Sequence, residues 1–110
     1  QFGKAIFEQQ QIAAYLADSA TELDAARLLV FRAAHLLDEG DDAAGEAAMA
    51  RLYAVRAAEA ATDRALQMHG GYGYTTEYPV ERAFRDAHHA LLMAGPDGGR
   101  AAIAQALVAG

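Results

Sequence analysis

The stretch richest in residues able to hold a ligand is Gln67-Met68-His69-Gly70-Gly71-Tyr72-Gly73-Tyr74, followed by Glu77-Tyr78-Pro79-Val80-Glu81-Arg82 and Arg85-Asp86-Ala87. Read locally, it has two meanings. Glycines after a helical run close the helix and turn the chain toward the next one. The same glycines strip the backbone of side chains, so a planar or phosphorylated ligand can lie against a helix end. Local rules leave both open. His88 and His89 beside Asp86 offer metal-ligand types, but adjacent residues on a helix do not share a face. The Glu-x-x-His pair of di-metal bundles does not occur, and His35 reads as a surface or boundary histidine. With no cysteine, disulfides and thiolate metal sites are excluded. No bound metal is expected.

The elements that carry these residues read as helices. Between Phe7 and Glu39 there is neither proline nor glycine, and Ile12, Leu16, Leu23, Val30 and Leu37 recur mostly seven apart. Ala20, Ala26 and Ala34 fill between them. This spacing predicts one long amphipathic helix over residues 7–39, with Glu22, Asp24, Arg27, Arg32 and Asp38 toward solvent. Gly40 suits its C-terminal cap, and Asp41 and Asp42 suit the start of the next helix, where carboxylates meet free N–H groups. A second helix is predicted over residues 43–69, with a ridge of small residues at Ala50, Ala54, Ala57, Ala61 and Ala65 that lets a neighbouring helix come close. The glycine- and tyrosine-rich string after it reads as a loop. Pro79 fits the first position of a third helix, with Glu81 near the positive end of its dipole. Gly95-Pro96-Asp97-Gly98-Gly99 breaks the chain again before a short last helix from Arg100. The expected fold is an all-α, antiparallel, up-and-down bundle filling residues 1–110 as one domain.

Composition limits the function classes. The chain has 110 residues, 54% of them hydrophobic but many of those alanine, and a formal net charge of −6. That charge disfavours nucleic acid, whose phosphates need a basic stripe. No apolar run reaches the roughly 20 residues of a membrane span. The lack of cysteine fits a cytoplasmic location.

The strings quoted above resemble the C-terminal helical domain of acyl-CoA dehydrogenases, where Q-I-H-G-G-x-G-Y is followed by Y-P-V-E-R and R-D-A. Gln1-Phe2-Gly3-Lys4, then Ile6, Gln10 and Ile12, is similar to the family's R-x-Q-F-G-K segment and the helix after it. The run from Arg27 to Ala34 and Glu46-Ala47-Ala48-Met49-Ala50 match in order and spacing. The resemblance covers the chain from Gln1 to about Ala87. It implies a piece of a larger flavoenzyme, without its upstream helix and β domain, that dehydrogenates an acyl-CoA or acyl-carrier thioester between the α and β carbons. FAD is the implied cofactor, and a homo-oligomer (dimer or tetramer) the implied assembly. On matching positions, Gln1, Phe2 and Gln10 would touch FAD, and Gln67, Met68, His69, Gly70 and Gly71 would touch the FAD of a partner subunit.

The chain departs from the family where the family keeps its base. Counting on from Arg85, the usual glutamate falls on Ala94, which cannot take a proton, and the matching Gly95 would lie against substrate. Pro96 replaces a threonine that hydrogen-bonds the flavin. A minority branch resembling isovaleryl-CoA dehydrogenases also carries Ala-Gly here and supplies its glutamate from the preceding helix. No catalytic residue is therefore expected within the chain, which alone should be inactive. The alternatives are a non-catalytic homologous subunit or vestige kept for assembly, and a plain helical interaction module.

Overall fold

A computed structural model describes residues 2–110, so Gln1 lies outside the described residues. The chain forms four helices: α1 (Gln10–Asp38), α2 (Ala44–Met68), α3 (Val80–Met93) and α4 (Arg100–Ala109). Short 3-10 turns occupy Ile6–Glu8 and Gly70–Tyr74. The all-α bundle is as expected, and the helix ends fall within three residues of expectation. One element differs: the string after α2 is a wound 3-10 turn rather than an open loop.

The breaks follow from local chemistry. Gly40 takes φ +83, which an L side chain resists. Its N–H donates to the Leu37 carbonyl and that of Asp41 to the Leu36 carbonyl, the paired bonds of a Schellman cap. One residue on, the Asp42 carboxylate accepts the Ala44 N–H at 3.1 Å and starts α2. Pro79 precedes α3 in helical geometry, and its carbonyl accepts the Ala83 N–H.

Helix α2 is the hub, packed on by α1, α3 and α4. Its small-residue ridge is an inner face, with Ala50 and Ala57 buried and Ala54, Ala61 and Ala65 half-buried. The buried apolar residues are Ala26, Ala33, Ala43, Ala50, Ala57, Val80 and Ala87, side chains so small that helix axes can approach closely.

The facing of α1 corrects the expectation. Ala26 and Ala33 are buried and Ile12, Tyr15, Ser19, Glu22, Leu29 and Leu36 half-buried, whereas Leu16, Leu23, Val30 and Leu37 are 41–61% exposed. At about 100° per residue, the heptad row sits roughly a quarter-turn from the packed face. Glu22 is not a solvent-face residue either. Its carboxylate takes two bonds from Arg64 on α2, at 2.7 and 3.1 Å, and this holds the carboxyl below its ordinary range.

Candidate functional site

Opposite parts of the sequence meet at one end of the bundle. Ile6, Phe7, Ile12 and Leu16 from the N-terminal segment and Met68, His69, Tyr72 and Tyr78 from beyond α2 line an apolar cleft of about 410 Å³. The aromatic rings stack edge to face, His69 against Tyr78 at 5.9 Å and Tyr72 against Tyr78 at 5.8 Å, the geometry that ring quadrupoles favour. His69 Nδ1 lies 2.7 Å from the Ala65 carbonyl oxygen. A proton on Nδ1 satisfies that contact and leaves Nε2 as the acceptor of the neutral ring.

Two of the turn's three glycines have a cause within the chain. Gly70 takes φ +58, open to a residue without a Cβ. Gly73 is buried, and a Cβ there would lie 2.7 Å from the Leu66 carbonyl oxygen and 3.0 Å from His69 Cβ, so the turn folds back on α2 only with glycine. Gly71 has neither reason: its φ is not left-handed, and a Cβ built on it meets no atom within 4 Å.

The structure brings some of the sequence-predicted residues together and leaves others apart. Met68 and His69 sit in the cleft. Gln67 and Gly70 border a separate hollow of about 190 Å³ beside Asp63, Leu66 and Tyr74. Gln10 is the first residue of α1, exposed, as is Gly71. Phe2 is 95% exposed with φ +56, a strained backbone for a side chain of that size. Ile6, Phe7, Tyr72 and Tyr78 make up half of the cleft's lining, and none of the four is among the residues expected to bind a ligand, although Ile6, Tyr72 and Tyr78 lie in the quoted strings. The two tyrosines flank the glycines and were within reach of a reading by composition. Ile6 and Phe7 become neighbours of Met68 only through the fold.

The second feature is the turn between α3 and α4, where Gly95, Gly98 and Gly99 all take left-handed φ (+82, +62 and +88). Ala94 and Gly95 face a cavity of about 220 Å³ with Leu52, Val55 and Leu91. Four to five turns of α2, on the order of 25 Å, separate Leu52 from Met68, so cleft and cavity are distinct. Asp97 is committed to capping: its carboxylate accepts the Gly99 N–H at 3.0 Å and the Ala101 N–H at 3.2 Å. Those two bonds, the Gly99 one first, hold its carboxyl below its ordinary range. His88 faces Glu59, Nε2 to Oε1 3.4 Å, with Nδ1 2.9 Å from the Phe84 carbonyl oxygen. Among the described residues no three of His, Cys, Asp or Glu are placed to hold a metal ion.

Comparison with known proteins bears on this geometry. The sequence profile of the acyl-CoA dehydrogenase C-terminal domain matches residues 1–108. The chain is 51% identical over 86 residues to the caffeyl-CoA reductase-Etf complex subunit CarC of Acetobacterium woodii, covering 78% of this chain and 23% of that protein. It is 47% identical over 87 residues to the mitochondrial short/branched chain specific acyl-CoA dehydrogenase of Rattus norvegicus, covering 79% and 20%. Among solved structures, one described as the electron transferring flavoprotein of Acidaminococcus fermentans superposes with a TM-score of 0.92 at 41% identity, over 97% of this chain and 28% of that one. The prolyl acyl carrier protein oxidase AnaB superposes at 0.90 with 33% identity, over 97% and 29%. The chain spans about a fifth to a quarter of the length of the curated relatives it matches. A profile matched almost end to end, and a fold shared at such identity, settle the classification: the chain belongs to the acyl-CoA dehydrogenase family and is its C-terminal helical domain.

Proposed function

We propose that the chain is part of a longer FAD-dependent acyl-CoA dehydrogenase, with a helix and a β domain upstream of Gln1, acting on an acyl-CoA or acyl-carrier thioester in fatty-acid metabolism in the cytoplasm. The observation that carries this reading is Gly71. Nothing within the chain requires a glycine there, and its bare backbone lies open, which supports the flavin contact that the resemblance implies for this position. The residues nearby suit the group: the amide of Gln67 and exposed backbone at Gly70 and Gly71 can hold a pyrophosphate without a full charge. One similar solved structure is described as the FAD complex of PigA, at 30% identity and a TM-score of 0.90.

FAD, when bound, would supply the acceptor for the β-hydride. This chain's residues would do the rest of its share: Gln1, Phe2 and Gln10 would touch FAD, Gln67 to Gly71 would touch the FAD of a partner subunit, and Ala94 and Gly95 would form one wall of the acyl pocket. Ala94 holds no proton, so the base comes from upstream of Gln1 in this reading. The exposed row Leu16, Leu23, Val30 and Leu37 supports burial of α1 in the full-length homo-oligomer, a dimer or tetramer. A second reading, a non-catalytic subunit kept for assembly, is favoured by one observation: Asp97, the carboxylate nearest Ala94 in sequence, is spent on capping α4.

Gly71→Leu in the full-length protein tests the first reading. A side chain projecting into the open space should cut flavin content severalfold while leaving the stability of the flavin-free protein within about 0.5 kcal/mol, as for an ordinary surface change. Full flavin occupancy in that variant would remove the main support for a cofactor site at this turn.

A further inference from the structure

We infer that Arg51 is a positioning residue for the acyl-pocket wall, clamping the end of α3 so that Ala94 and Gly95 keep their place; this rests on the function proposed above. Arg51 lies on an exposed flank of α2, and its Nη2 donates to the Met93 carbonyl oxygen at 2.8 Å, across a separation of 42 residues. The last carbonyls of a helix lack intrahelical partners, and a guanidinium there also meets the negative end of the helix dipole. A charged donor to a carbonyl belongs to the stronger class of hydrogen bond.

The three glycines of the segment after Met93 lower its side-chain packing, and its own bonds, such as the Gly98 N–H to the Gly95 carbonyl at 3.2 Å, tie it only to itself and not to α2. It is tied down at both ends. On the far side, Asp97 caps α4, and Arg100 Nη1 donates to the Asp97 carbonyl oxygen at 2.7 Å. On the near side stands Arg51. Between these anchors lie Ala94, Gly95 and Pro96, all three at the cavity of about 220 Å³. With no carboxylate at position 94, what these residues offer a substrate is shape. Displacing them therefore weakens acyl binding and leaves the proton transfer, made elsewhere, alone.

The experiment uses the full-length flavoprotein with Arg51→Met and Arg51→Lys, each followed by residue-resolved amide exchange and steady-state kinetics on acyl thioesters. Arg51 is exposed, so neither variant hollows the core. The Met variant should exchange about tenfold faster at Ala94, Gly95 and Gly98, with Ala57 unchanged. Its KM for the acyl thioester should rise about three- to tenfold with kcat within about twofold, and the Lys variant should recover most of both effects. Unchanged exchange overturns the clamp, and faster exchange with an unchanged KM overturns the assignment of the turn to the pocket. A fall in kcat at constant KM overturns the claim that the turn acts through shape. Failure of the wild-type protein to turn over any acyl thioester overturns the functional reading and the pocket assignment together. The exchange arm still judges the clamp, so the two failures are told apart.

Discussion

Gly45, the second residue of α2, is buried, and a Cβ built on it would lie 2.5 Å from Ala106 Cβ on α4. Methyl carbons in contact stand about 3.5–4.0 Å apart, so Gly45→Ala forces the two helices about 1 Å or more out of register. Both atoms are fixed to backbone, so no rotamer relieves the overlap. Overpacking of this kind costs about 1–3 kcal/mol. Helix propensity acts the other way by at most about 1 kcal/mol, and less in a first turn. The expected net loss is about 1–2 kcal/mol, read from urea melts of the 110-residue chain. Ala106→Gly alone should also cost about 1 kcal/mol through propensity. In the double variant the clash is gone, so the cycle should give a favourable coupling of about 1–2 kcal/mol. A Gly45→Ala chain more stable than the parent, with no coupling to Ala106→Gly, would refute the docking of α4 through this contact.

Two further outcomes follow from the packing of α1 on α2. Ala57→Leu adds three carbons at a site 4% exposed and should cost about 1–3 kcal/mol in a thermal or urea melt; Arg56→Leu, on the exposed side of the same turn, should stay within about 0.5 kcal/mol. For Glu22, Arg64 lowers the folded-state pKa below the ordinary 4.5, so its stabilisation is full above about 4.5 and is lost as pH falls through the lower folded value. The stability gap between the parent and Arg64→Met should therefore shrink as pH is taken from 6 to 3, and a gap that holds constant would count against the pair.

The breaks between helices were legible because each depends on a few adjacent residues. Gly40 and Asp42, and Pro79 before α3, carry caps whose chemistry is complete within a turn of chain. The facing of α1 was not legible. Large apolar side chains recur seven apart on two rows, Leu16, Leu23, Val30 and Leu37 and, a quarter-turn away, Leu29 and Leu36, so periodicity alone does not choose the packed row. Packing instead selects Ala26 and Ala33, because close approach to α2 rewards small side chains over large ones. Nor could Glu22 be placed, since its partner Arg64 lies 42 residues away. The same limit governs the cleft. His69 and the glycines announce themselves as a string, whereas Ile6 and Phe7 join Met68 only when α1 lies antiparallel to α2.

The two turns differ in how far folding accounts for their glycines. After α3, the left-handed φ values of Gly95, Gly98 and Gly99 account for those glycines by conformation alone, and Asp97 and Arg100 hold the turn from within. After α2, conformation explains Gly70 and close approach explains Gly73, but Gly71 is left over. Folding accounts for a glycine through contacts or conformation within the chain, as at Gly45 against Ala106 and at Gly73 against Leu66. A glycine that serves a ligand has no such account within the chain. The bare backbone at Gly71 thus supports the proposed flavin contact more than the more numerous glycines around Pro96 do, and Gly71→Leu, projecting into open space, is expected to test it without disturbing the fold.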